Sequence, residues 1–211
     1  MTRELVLRNR QRDCRVDMRL LRRVCDGLLT QLVPGDDFAV GVHLVGSAEM
    51  TRLNQTYLHH EGSTDVIAFD YRESAGQRPH PGGCGPTPLP GARSSAGIAV
   101  RVQGEIVICP CQAVRQARRF RTLWQAEIVR YAVHGLLHLL GYDDQEPHTR
   151  RVMKTVEDRL VRELAGRFSL PRLAKTTPRR PQAAATNHGR RRPGPSAFSL
   201  RKRRRHLRVP P

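Results

Sequence analysis

Long apolar runs are missing from this chain: no segment of its 211 residues approaches the roughly 18 consecutive apolar residues of a membrane-spanning helix, so no membrane partner is expected. Residues 1–12 are polar and basic and hold no apolar core, so no secretory signal is expected either. Aromatic residues are scarce, at 5%. The five cysteines are odd in number and nothing suggests secretion, so reduced thiols in a cytoplasmic protein are the simplest reading. Cys109-Pro110-Cys111 has the wrong spacing for a redox or metal pair and reads as buried or incidental thiols; Cys84 would be reactive if exposed.

Acidic residues are absent from one whole segment. Of the 37 Lys and Arg residues, 14 fall between Arg167 and Pro211, where there is no Asp or Glu; the first 166 residues hold the other 23 against 19 acids, a net of +4. Of the +18 charge, +14 therefore belongs to the last 45 residues, 167–211. Pro171, Pro178, Pro181, Pro193 and Pro195, Ala183-Ala184-Ala185 and the run Arg201-Lys202-Arg203-Arg204-Arg205, without sustained periodicity, predict a disordered basic arm. Clustered arginines attract phosphate without sequence preference, so the arm is expected to tether the protein to RNA.

What is present is a folded body over 1–166. Glu4–Arg8 reads as a strand, and Asp17 as the cap of a helix to about Leu32 with Leu21, Val24, Leu28 and Leu32 on one stripe. Phe38–Val45 alternates as a strand, Ser47 is expected to cap a helix through about Tyr57, and Thr64–Tyr71 is a third strand. Residues 74–97 are too rich in Gly and Pro for regular structure and read as an insertion over the sheet rim. Gly104–Cys109 is a fourth strand, and Pro110 opens a helix to about Arg121 that carries Arg115, Arg118, Arg119 and Arg121 as a basic surface. Helices are predicted over about Leu123–Leu140 and Glu146–Leu164. The pattern implies an α/β or α+β layered fold, with the sheet against a central, mostly apolar helix at 123–140.

That helix carries the chemistry. His134 and His138 are one turn apart on one face, about 6 Å along the axis, so each offers one ring nitrogen to a shared cation. Gly141 can adopt the left-handed conformation that ends a helix, and Asp144 then returns as a third ligand. Three protein ligands leave a coordination position for water, as catalytic zinc centres do. The spacing resembles a metalloprotease helix, but the position of its glutamate base is Gly135. Glu127, on the histidine stripe, is the candidate to orient His134, with a structural ion pair as the alternative. No residue is assigned as a catalytic acid or base.

The run His134-Gly135-Leu136-Leu137-His138-Leu139-Leu140-Gly141-Tyr142-Asp143 resembles the signature of the YbeY family of metal-dependent endoribonucleases. Two further blocks resemble that family in the same order: Leu53-Asn54-Gln55-Thr56-Tyr57 with Ser63-Thr64-Asp65-Val66-Ile67-Ala68-Phe69, and Gly104-Glu105-Ile106-Val107-Ile108. The resemblance covers roughly residues 4–165. It implies a small mixed four-stranded sheet with about five or six helices, and a single-strand-specific, zinc-dependent endoribonuclease. It also implies action at the 3′ end of small-subunit (16S) ribosomal RNA and in ribosome quality control, with the small subunit as partner and no nucleotide cofactor.

Two departures from the family pattern bear on the site. Asp144 stands where the family has its third histidine; a carboxylate can serve zinc, and His148, four residues on, is the alternative ligand. Leu58 stands where the family commonly has an arginine; His59 or His60 is the candidate to meet phosphate instead, with plain exposure in a loop as the alternative. Thr64 and Asp65 are candidates to position substrate or the ligand helix. Two other readings stay open: a zinc hydrolase of another substrate such as a peptide, and a non-enzymatic ribosome-associated RNA binder with a structural metal.

Overall fold

The computed structural model describes residues 2–33, 35, 37–72 and 102–175. The expected insertion at 74–97 and the stretch 176–211 of the basic arm lie outside the described residues.

The described residues form four strands and five α-helices in the order β1 (Arg3–Asn9), α1 (Met18–Leu32), β2 (Phe38–Leu44), α2 (Ser47–Leu53), β3 (Val66–Asp70), β4 (Val102–Ile108), α3 (Pro110–Phe120), α4 (Trp124–Leu139) and α5 (Pro147–Arg167). The sheet order is β1-β2-β4-β3. β1 runs parallel to β2 and β2 parallel to β4, whereas β3 pairs antiparallel with β4. This is the small mixed sheet with helices expected from the sequence. Parallel neighbours need a crossover, and α1 supplies the one between β1 and β2.

Period-two alternation assigns each strand two faces. Phe38, Val40, Val42 and Leu44 of β2, with Ile106 and Ile108 of β4, join Leu21, Val24, Leu28 and Leu29 of α1 and Ile128, Val133, Leu136 and Leu137 of α4 in the main core. The opposite face carries a smaller cluster of Val45, Met50, Ile67, Val107 and Cys109, against which Leu53 and Leu58 pack. α4 is apolar on most sides because it is buried in the main core, as its sequence predicts.

Local signals set the helix starts. Asp17 caps α1 by accepting from the amides of Arg19 and Leu20, at 3.0 and 3.1 Å, and Pro110 and Pro147 lie in the first turns of α3 and α5. The expected helix from Ser47 to Tyr57 differs in detail. Gly46, extended, is its N-cap, and α2 gives way to a π-helical turn over Asn54–Leu58. Buried Asn54 donates to the carbonyls of His60 and Gly62, at 3.2 and 2.9 Å, and so closes the loop behind the widened turn.

Ordered structure also continues past 166. Leu170–Leu173 form a 3₁₀ turn whose Leu170 and Leu173 are buried in the main core. Ala174 bridges Val16, and the Asp17 amide donates to the Leu173 carbonyl at 2.8 Å. Two leucines three residues apart suffice for one buried turn, a signal that the surrounding arginines conceal in composition.

Candidate metal centre

Gly104 and Gly135 let the sheet approach α4 closely. A β-carbon on Gly104 would lie 2.3 Å from the Phe69 carbonyl oxygen and 2.7 Å from Leu139 Cδ2. One on Gly135 would lie 2.5 Å from Ile106 Cγ2. Position 135 therefore faces the sheet, on a different side of α4 from the two histidines.

α4 ends as its sequence predicts. Gly141 has φ +90°; the Tyr142 amide donates to the Leu137 carbonyl at 3.0 Å and the Gly141 amide to that of His138 at 2.9 Å. This pairing caps the helix and turns Asp144 back over the histidine face. Ligand atoms of His134, His138 and Asp144 all lie within 4.8 Å of one another. His148 is exposed near the start of α5 and is not part of this cluster.

The tautomers follow from the partners. His134 Nδ1 lies 3.0 Å from Glu157 Oε2. Burial alone would raise the Glu157 carboxyl, but hydrogen bonds from His134, Lys154 and Arg130 outweigh it and hold it at about 2. Glu157 is therefore an anion that only accepts, and His134 Nδ1 carries the proton. His138 Nδ1 lies 3.1 Å from the Tyr142 carbonyl oxygen, which also only accepts. With each Nδ1 so engaged, both rings turn Nε2 inwards, and the two Nε2 atoms face each other at 3.0 Å. Asp144 adds Oδ2 at 3.8 Å from His134 Nε2 and Oδ1 at 3.9 Å from His138 Nε2. Burial, then the neighbouring His134, holds His138 below its ordinary value, which favours its neutral form.

A tetrahedral ion with bonds of about 2.0–2.2 Å keeps its ligand atoms about 3.3–3.6 Å apart; the two Nε2 atoms lie slightly closer than that, and the nearest Asp144 oxygen to each, a different one for each ring, slightly farther. Two imidazoles and a carboxylate also have the chemistry a divalent ion takes. The residues fit a metal.

A family model described as Endoribonuclease YbeY matches residues 6–165. The chain belongs to the YbeY endoribonuclease family. Curated relatives named Endoribonuclease YbeY include one from Salinibacter ruber, 41% identical over 110 residues, which are 52% of this chain and 60% of that protein. The alignment thus spans less than two thirds of this relative's length. One from Chlorobium luteolum is 31% identical over 68% of this chain and 91% of its own length, and one from Thermobifida fusca is 34% identical over 68% and 80%. In structure the chain is similar to a Thermotoga maritima protein solved in solution, with a TM-score of 0.50 and 22% identity over 82% of this chain and 97% of that one. That likeness concerns the fold.

Within this YbeY frame, several sequence candidates have definite places. Glu127 does not reach His134. It accepts from Thr122 Oγ1 at 2.7 Å and pairs with Arg130 at 3.7 Å, because seven residues of helix separate it from His134 by about 10 Å along the axis. Glu157 of α5 is the carboxylate that contacts the ring. Its signal in the sequence is a charge within the apolar stripe Met153, Leu160, Val161 and Leu164, and Glu157 is indeed buried there. Asp65 accepts from Thr64 Oγ1 and from the Val66 amide, each at 3.0 Å, while its carbonyl accepts from the Cys109 amide at 2.8 Å, so the pair ties β3 to the start of α3. Leu58 packs against the smaller apolar cluster. His59 and His60 are exposed, and His59 is left-handed with φ 56°.

Among the described residues, the cysteines at 14, 25, 109 and 111 are free thiols, and Cys109 is buried beneath β3 and β4. No described helix is long and apolar enough to cross a membrane.

Proposed function

We propose that this chain is a metal-dependent endoribonuclease that hydrolyses single-stranded RNA, with His134, His138 and Asp144 holding one zinc or similar divalent ion. The convergence of two imidazole Nε2 atoms and one carboxylate supports this reading most directly. When bound, such an ion acidifies a water molecule towards neutrality and polarises a phosphoryl oxygen. The rest falls to the chain itself: Glu157 and the Tyr142 carbonyl hold the two rings in the ligating tautomer, and Gly141 places Asp144.

The family resemblance extends the proposal to maturation of the 3′ end of small-subunit ribosomal RNA and ribosome quality control in the cytoplasm, with that subunit as partner. The basic arm would raise local concentration on such a target. Peptide hydrolysis is disfavoured because the place of a metallopeptidase's glutamate is taken by Gly135, whose side-chain direction points at Ile106. Leu58, apolar and packed, keeps a second reading in view: an RNA binder whose metal is structural.

Cleavage of single-stranded RNA separates the two. The wild type should cleave a single-stranded substrate and lose that activity on chelation. His138→Ala should abolish cleavage while RNA binding and thermal unfolding persist. Cleavage undiminished by His138→Ala would reject the proposal, and RNA binding without cleavage by the metal-loaded wild type would favour the binder.

A further inference from the structure

Glu157 is the one buried carboxylate among the described residues, at 4% exposure. Its two oxygens do different work. Oε1 accepts from Arg130 Nη1 at 2.5 Å and from Lys154 Nζ at 2.8 Å, whereas Oε2 meets His134 Nδ1 at 3.0 Å. We propose that Glu157 is a positioning residue for the metal centre: Oε2 fixes the His134 ring with Nε2 towards the ion, while Arg130 and Lys154 hold the carboxylate in place through Oε1. The proposal rests on reading His134, His138 and Asp144 as metal ligands.

Holding α5 to α4 does not by itself require this group. Arg130 of α4 also pairs with Asp158 of α5 at 2.6 Å, and Asp158 pairs with Lys154 at 3.0 Å. The Arg130–Asp158 pair joins the two helices at a half-exposed position without the desolvation cost of a buried charge. What Glu157 adds is a lone pair aimed at a ring nitrogen. The two histidines are then unequal: His138 is backed by the neutral Tyr142 carbonyl and His134 by a full negative charge. A carboxylate accepting the Nδ1 proton makes the opposite nitrogen a better donor, so His134 is the stronger ligand and Glu157 sets the affinity of the centre.

The full-length protein, stripped of metal, is titrated with Zn²⁺ against a chromophoric chelator and with Co²⁺ followed by visible absorption. The wild type should bind one equivalent and His138→Ala should lose it. Glu157→Gln should bind about 10- to 100-fold more weakly, with an altered cobalt spectrum. Wild-type affinity in Glu157→Gln, with His138→Ala still deficient, overturns this proposal alone; a wild type that binds no ion overturns the metal reading and this proposal together. A measurement on the metal-free wild type needs no variant to fold. Its imidazole ¹⁵N spectrum at pH 8 should show His134 protonated at Nδ1, and protonation at Nε2 would overturn the assignment.

Discussion

Gly135 of α4 lies against Ile106 of β4 so closely that a β-carbon on it would sit 2.5 Å from Ile106 Cγ2. The contact joins two of the sequence blocks through packing, and it removes position 135 from the chemistry of the neighbouring histidines. Gly135→Ala should overpack the core and destabilise the protein by about 1–3 kcal/mol, read as a lower denaturation midpoint. Gly135→Glu should be worse and create no peptidase. Metal-dependent peptide cleavage by that variant would show that the side chain reaches the centre.

Acid should release a specific part of the stability. Glu157 sits at about 2, against an ordinary 4.5, so its folded form binds its proton less readily than its unfolded form. The stabilisation is complete above about pH 4.5 and is lost as pH falls from there through about 2, in all on the order of 3 kcal/mol. Urea unfolding of chelator-treated protein across that window should show a steep acid limb for the wild type and a shallower one for Glu157→Gln. Parallel profiles would contradict the assignment.

The third ligand can be read by elemental analysis. Asp144→Asn should retain well under one equivalent of metal, since an amide oxygen is a poor substitute for a carboxylate. His148→Ala should retain the wild-type amount, because His148 lies outside the cluster. The reverse pattern would transfer the role to His148.

The surface of α3 offers a check on the RNA reading. Arg118 and Arg119 are exposed with no ion pair among the described residues, and the Arg119 guanidinium lies 5.2 Å from the ring centroid of Phe120, itself 61% exposed. Arg118→Glu with Arg119→Glu should weaken binding of single-stranded RNA and lower the slope of log affinity against log salt by about 1–2. An unchanged slope would mark these arginines as a solvated face.

Elements that depend only on near neighbours along the chain are legible in the sequence itself. Asp17 ahead of an apolar stripe, Pro110 and Pro147 in first turns, and the alternation from Phe38 to Leu44 are local patterns, and each maps onto an observed boundary. The His134–His138 spacing and the Gly141 break are local too. They bring the two imidazoles and Asp144 within 4.8 Å because a helix and one turn need no distant partner. Spacing alone fails across two helical turns, as for Glu127, which pairs with Thr122 and Arg130 instead of His134.

The sequence by itself determined the helix that presents two histidines on one face, the glycine that ends it, the strands that bury it and the concentration of charge in the last 45 residues, 167–211. Only the tertiary structure decided that Glu157, 23 residues beyond His134, is the acid at that ring, that Gly104 and Gly135 admit the sheet to α4, and that Leu170 and Leu173 close the core. Helical and strand periodicity are properties of consecutive residues. Which carboxylate meets a given ring depends on how α5 lies across α4, and that is settled by burial of apolar surface over the whole fold.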